Sequence, residues 1–214
     1  MPPLLFFDLP LRLGVLASGR GSNFAAILEA IEHGTVPAQV AIVISDRPEA
    51  RALGHAQSHN LLTAVVEPRN FPDRAAFDLA VVERLRAAGV QLVVLAGFMR
   101  LVTPAFLAAF PGRVLNIHPA LLPSFPGLHA QRQALAYGVK VSGCTVHVVD
   151  EGVDSGPILM QRAVAVLDDD DEESLSARIL AEEHKLYPEA IRRIATGEIR
   201  LPGLSLAMQR QGVA

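Results

Sequence analysis

The sequence predicts an α/β protein: a mainly parallel sheet with helices on both faces and an antiparallel strand extension toward the C-terminal end. Three observations predict it. Short continuous apolar runs, typical of strands buried on both faces, recur between longer stretches with helical spacing. The two kinds of segment alternate from about residue 12 to residue 118, the rhythm of strand–helix–strand crossovers. Later, two strand patterns follow one another with no helix between them.

The first strand is "RLGVLA" (12–17), followed by the helical "NFAAILEAIEHG", which Gly34 stops. "VAIVIS" (40–45) is a second strand and "PEARALGHAQSHN" its helix; "LTAVVE" (62–67) is a third strand. "DRAAFDLAVVERLRAAG" (73–89) has amphipathic spacing, with Phe77, Leu79 to Val82 and Leu85 as its apolar positions and Gly89 as its stop. "QLVVLAG" (91–97) is a fourth strand. "TPAFLAAF" is a short helix, capped by Thr103 with Pro104 in its first position. "RVLNIH" (113–118) is a fifth strand, and "HAQRQALAYG" reads as a helix. "GCTVHVVD" (143–150) and "GPILMQRAVAV" (156–166) form the antiparallel extension, and a long helix over roughly 171–197 closes the pattern.

Composition bounds the function. Half of the 214 residues are hydrophobic, enough for a large core, which argues against disorder, and one domain over 1–214 is expected, with 1–11 as an N-terminal extension. A net charge of −3 gives no basic field for nucleic acid or an anionic membrane. The single cysteine, Cys144, rules out an internal disulfide and a cysteine-built zinc site. "MPPLLFFDLP" lacks a basic start and is broken by Asp8 and Pro10, unlike a signal peptide, and no apolar run is of membrane-spanning length. The expected location is the cytoplasm and the expected partners are small molecules.

In such a sheet ligands bind beyond the carboxyl ends of the strands, and the motifs of interest lie there. "SGRGSN" (18–23) joins the first strand to its helix. Its glycines permit close approach of backbone to a ligand, and a helix N-terminus suits a phosphate. The spacing matches neither the dinucleotide nor the triphosphate fingerprint; the plainer alternative is a tight turn capped by Ser22 or Asn23. "NIHPALLPSFPGLHA" (116–130) puts Asn116 and His118 on one face of a strand end, able to donate to one small oxygen. Pro119, Pro123 and Pro126 then stiffen the loop into a pocket wall. "DEGVDSGPI" (150–158) offers Asp150, Glu151 and Asp154 to orient a histidine or relay a proton; an ordinary turn is the alternative. "AGFMRLV" (96–102) sets apolar residues around Arg100, either as core or as the wall for a flat ligand. "DDDDEE" (168–173) suits the start of a helix better than a metal site.

Together "SGRGSN", "VVLAGFMRLV", "LNIHPALLPSFPGLHA", "GCTVHVVDEGVDSGPIL" and "EEHKLYP" resemble the phosphoribosylglycinamide (glycinamide ribonucleotide) formyltransferases, from about residue 12 through the last helix. The resemblance implies a Rossmann-like fold and transfer of a formyl group from the co-substrate 10-formyltetrahydrofolate to the amine of glycinamide ribonucleotide in purine synthesis, without a metal. It places Asn116, His118 and Asp154 on the catalytic positions. It assigns Gly21, Ser22, Asn23 and Glu183 to the ribonucleotide and its phosphate. Arg74, Met99, Arg100, Leu101, Val102, Asn116, Asp150 and Asp154 fall to the folate, with His129 and His147 in support. The resemblance implies a monomer or homodimer. One departure is Ser124, where the family often has a lysine. Alternatives are formyltetrahydrofolate hydrolase and methionyl-tRNA formyltransferase, for whose extra domains 214 residues leave no room, or a non-catalytic folate- or nucleotide-binding protein, which would not need the Asn116, His118 and Asp154 set.

Overall fold

The computed structural model of the protein describes residues 10–204; most of the expected N-terminal extension lies outside the described residues. Seven strands, β1 (Leu11–Leu16), β2 (Ala38–Ser45), β3 (Thr63–Val65), β4 (Leu92–Leu95), β5 (Val114–His118), β6 (Val141–Val148) and β7 (Ile158–Ala165), form one sheet. The order is β3-β2-β1-β4-β5-β6-β7, parallel from β3 through β5 and antiparallel for β5–β6 and β6–β7. The mainly parallel sheet with its antiparallel extension is the architecture the sequence predicts.

Helices α1 (Ser22–Glu32), α2 (Arg51–Ser58), α3 (Arg74–Ala87), α4 (Pro104–Ala109), α5 (Ala130–Tyr137) and α6 (Glu172–Ala195) cover both faces. Alternation along β1 sends Leu13 and Val15 to one face, against Ile27 of α1 and Ile191 of α6. Leu16 goes to the other, against Phe77, Val81 and Leu85 of α3. Gly14 lies where any Cβ would collide with the Leu85 and Val90 side chains, so its missing side chain lets α3 sit close to the sheet.

Local chemistry explains the helix starts. Thr103 caps α4, its Oγ1 accepting from the Phe106 N–H at 3.4 Å, and Asp73 caps α3, accepting from the Ala76 N–H at 2.8 Å. The acidic run ends in a capping box. Asp171 accepts from the Ser174 N–H at 2.8 Å, and the Ser174 hydroxyl accepts from the Asp171 N–H at 3.0 Å. Asp170 is clamped by both terminal nitrogens of Arg178, at 2.6 and 2.8 Å.

Two expectations need correction. Leu79 is not a core position but an exposed one, because α3 buries the stripe of Phe77, Asp78, Val81, Val82 and Leu85. The third strand shrinks to Thr63–Val65. It pairs with β2 alone at the sheet edge, and this leaves Leu62 and Val65 exposed.

Helix α6 is pinned to the sheet by Tyr187. Its fully buried hydroxyl lies 3.1 Å from both the Leu95 carbonyl of β4 and the Leu115 carbonyl of β5. Tyr187→Phe keeps the ring and removes the hydroxyl donor that ties α6 to these two strands. It should cost about 1–2 kcal/mol of unfolding free energy, measured as a lower urea midpoint with unchanged slope.

Candidate active site

The chain leaves β1 outward to β2 and β3, then returns to β4 on the other side of β1. Successive crossovers thus diverge at the carboxyl ends of β1 and β4 and open a crevice there. The two loops at its base are stitched together: Ser18 N–H donates to the Gly97 carbonyl at 3.0 Å, and Ser18 Oγ accepts from the Met99 N–H at 3.0 Å.

The crevice is a cleft of about 700 Å³. Gly21, Ser22, Asn23 and Glu183, the four residues predicted for the ribonucleotide, all line it, as does Met99. Gly21 is the N-cap of α1, with φ 75 and no side-chain cap bond, so the turn capped by Ser22 or Asn23 is not what forms. The left-handed backbone and the closeness of Ala52, 2.7 Å from where a Cβ would stand, both require glycine there. The amides at the start of α1 are left to face the cleft, the arrangement that receives an anion.

Asn23 Nδ2 donates to Glu183 Oε2 at 2.8 Å, while its buried Oδ1 has no partner. Glu183 is 6% exposed. Burial pushes its carboxyl above the ordinary glutamate range, against the opposing pull of the Asn23 bond.

Next to the cleft, at the end of β5, the predicted catalytic residues meet. Ile117 and Pro119, which alternate with them, line the cleft itself. His118 Nδ1 lies 3.1 Å from Asp154 Oδ2, and His118 Nε2 lies 2.8 Å from the Phe125 carbonyl. Asn116 Nδ2 is 3.4 Å from Asp154 Oδ1 and 3.3 Å from His147 Nε2. The antiparallel register pairs Asn116 with His147 across β5 and β6. His147 Nδ1 lies 3.1 Å from the Val148 carbonyl, and its Nε2 faces Asp154 Oδ1 at 3.5 Å as well as the Asn116 amide at 3.3 Å. Gly127 N–H donates to Asp154 Oδ2 at 2.9 Å and so ties the proline-rich loop to the carboxylate.

Two bends in the chain make these contacts. Phe125 and Asp154 have φ of 55 and 51, the left-handed region that side chains other than glycine seldom adopt. The first carries the carbonyl on His118 and the second aims the carboxylate. Such backbone costs on the order of 1–3 kcal/mol per residue and clusters at functional sites.

The electrostatics of the pair are opposed. Burial pushes the His118 imidazole below its ordinary value, while the Asp154 charge and the Phe125 carbonyl pull it back up and His147 adds to the lowering. Burial alone would raise Asp154. The His147 ring, the Gly127 amide and His118 outweigh it and hold the carboxyl below its usual range. Asp154 is therefore an anion at neutral pH. His118 contacts acceptors at both nitrogens, an arrangement that favours the imidazolium, while burial favours the neutral ring. Burial prevails, and the imidazole lies below its ordinary value.

The predicted folate residues separate. Arg74 Nη2 donates to the Val102 carbonyl at 3.2 Å and so joins two of them. Arg100 lies over the Phe77 ring, 5.1 Å from its centroid, with Nη1 4.0 Å from Asp46. Met99 and Leu101 project with 64% and 55% exposure, so the core reading of this segment fails for both. Asp150 braces its own loop, accepting from Ser155 Oγ at 2.8 Å and the Gly152 N–H at 3.1 Å. His129 stands apart from the trio, 3.9 Å from Glu172. Sequence reasoning missed Arg47, Gln131, Glu173 and Ser176, which also line the cleft. Arg47 follows β2 and could have been found by its strand-end position.

The chain matches the formyl transferase family over residues 11–191. It is 48% identical over 202 residues to the phosphoribosylglycinamide formyltransferase of Mycobacterium tuberculosis, covering 94% of this chain and 93% of that protein. It is 44% identical over 191 residues to the trifunctional purine biosynthetic protein adenosine-3 of Drosophila pseudoobscura pseudoobscura; that match covers 88% of this chain and 14% of the longer protein. The crystal structure of glycinamide ribonucleotide transformylase 1 from Symbiobacterium toebii superimposes with a TM-score of 0.90 at 53% identity, covering 97% of this chain and 98% of that one.

Glu183 yields a pH-dependent prediction. A carboxyl whose folded value is raised contributes stability while protonated and loses it as pH rises from about 4.5 through the folded value. Glu183→Gln keeps a neutral side chain at every pH. The stability of wild type relative to the variant should therefore fall as pH rises from about 4.5 toward 8. Paired thermal melts across that range check this, and parallel curves would place an ordinary carboxylate at the site.

Proposed function

The chain belongs to the formyl transferase family, and on that footing we propose that it transfers a formyl group from 10-formyltetrahydrofolate to the amine of glycinamide ribonucleotide, a step of purine ribonucleotide synthesis. The observation that carries this reading is the joining of Asn116, His118, His147 and Asp154 into one hydrogen-bonded cluster beside the cleft that holds the Gly21–Asn23 turn and Glu183. The turn takes the phosphate, and the buried Asn23 Oδ1 supplies an acceptor for a donor of the ribonucleotide. Exposed Met99 and Leu101 give the flat folate ring an apolar wall.

The substrate amine attacks the formyl carbon, a C–N bond forms, and the carbonyl oxygen takes the electron pair. Asn116 and His118 donate to that oxyanion. At rest their N–H groups are engaged: Asn116 in long bonds of 3.3 and 3.4 Å, His118 with the Phe125 carbonyl. A developing negative charge is the better acceptor and draws them away. The tetrahedral centre then collapses, the bond to the folate nitrogen breaks, and the proton lost by the amine reaches that nitrogen. Asp154 takes and returns this proton, through water or through His118, while holding the imidazole in place.

One assay separates this reading from hydrolysis and from binding without turnover. With 10-formyl-dideazafolate as donor, deformylation should require the ribonucleotide. Deformylation without it selects a hydrolase, and saturable binding with no turnover selects a binding protein.

Asp154→Asn should retain both ligands and lose turnover by about two orders of magnitude or more, the usual scale for a positioned acid–base group. Near-normal kcat at neutral pH would remove the proton-relay role. Asn116→Ala and His118→Ala should each lower kcat by roughly 100-fold. The double variant should lose much less than their product, because both serve one oxyanion. Strictly multiplicative losses across a pH series would mean that the two groups act at separate places.

A further inference from the structure

Beyond Arg20 and Ser22 lies a second cavity, of about 740 Å³, which shares only those two residues with the ribonucleotide cleft. It follows α1 from the loop before it to Thr35 and Val36 after it, so it is roughly 16 Å long, 11 helical residues at about 1.5 Å each. The start of α2 and the second half of α6 form its other walls. None of the groups assigned to formyl transfer, apart from the shared Ser22, lines it.

Its charges are unevenly committed. Glu189 is taken by Arg192 and Arg193 at 2.8 and 2.7 Å, and Lys185 by Glu182 at 2.6 Å. Among the described residues, Arg20 and Arg51 form no ion pair, and Glu29 is the lining carboxylate left without one. His184 adds a buried Nε2 with no hydrogen-bond partner. Between these polar groups Ala25, Ala26, Ala30 and Pro188 make a floor of small apolar side chains. Two free guanidinium groups at one end of α1 suit phosphate oxygens. The length and the apolar floor suit a flat ring attached to them, which a bare anion would leave unused.

We propose that this cavity is a second ligand site, which takes a nucleoside phosphate, its phosphates on Arg20 and Arg51 and its base over Ala26 and Pro188. His184 Nε2 meets a polar edge of the base or sugar. The inference stands independently of the assignment of the ribonucleotide cleft. The site is placed to sense that cleft: Ala52, next to Arg51, donates its N–H to the Gly19 carbonyl at 3.2 Å and so docks α2 on the loop both cavities share.

The test is calorimetric titration of the full chain with adenosine 5′-diphosphate, with and without saturating glycinamide ribonucleotide. Binding should persist when the ribonucleotide is present. Adenosine, which lacks the phosphates, should bind at least about tenfold more weakly, as removal of a charge-assisted contact implies. Arg51→Glu, at an exposed first position of α2 where an acidic residue suits the helix, should weaken the diphosphate by a similar factor. Ala26→Glu, which puts a carboxylate into the floor, should do the same. The proposal fails if the diphosphate does not bind, if the ribonucleotide displaces it, if adenosine binds equally well, or if both variants bind it as wild type does.

Discussion

The Asp154 carboxylate is the contact on which the site depends. Four groups from three parts of the chain converge on its two oxygens: Asn116 and His118 from β5, His147 from β6, and the Gly127 amide from the proline-rich loop. Even a half-buried anion is costly unless donors surround it. Here the need to satisfy one charge fixes the relative placement of two strands and two loops. Asp150 steadies the turn that presents it, and the left-handed backbone at Asp154 aims it. Without the carboxylate, His118 would keep only the Phe125 carbonyl, and the loop would lose its tie to the strand.

The second constraint is topological. The reversal of strand order between β1 and β4 opens a crevice that the strands themselves cannot fill. Gly21 and Ser18 turn that gap into a shaped site. One exposes the first amides of α1, and the other ties the β1 loop to the β4 loop through two 3.0 Å bonds. Glu183 reaches the same space from α6, some 160 residues later in the chain, and is held there by Asn23.

Much of this was legible in the sequence because it is local. Alternation alone puts Asn116 and His118 on one side of a strand end, and a glycine-bounded turn before a helix offers free amides that suit an anion. What was not legible depends on register and packing. His147 meets Asn116 because β6 runs antiparallel to β5 in one particular alignment, which no spacing in the sequence encodes. The face that α3 buries was misjudged because Leu79 is as apolar as its buried neighbours, and only the sheet decides between them. Glu173 belongs to an acidic run that reads as a helix start, and it is one; the place in the cleft that it shares with Ser176 comes from where α6 crosses the sheet.

The position of Tyr187 has a mechanical consequence. It lies four residues after Glu183, one turn along the same side of α6, and its hydroxyl grips the carbonyls of two adjacent strands. Helix and sheet therefore share a fixed reference point directly beneath the cleft. The pin sets the height of α6 on the sheet, and with it the place where the Glu183 carboxyl meets the loops opposite, as a peg sets the position of a lever.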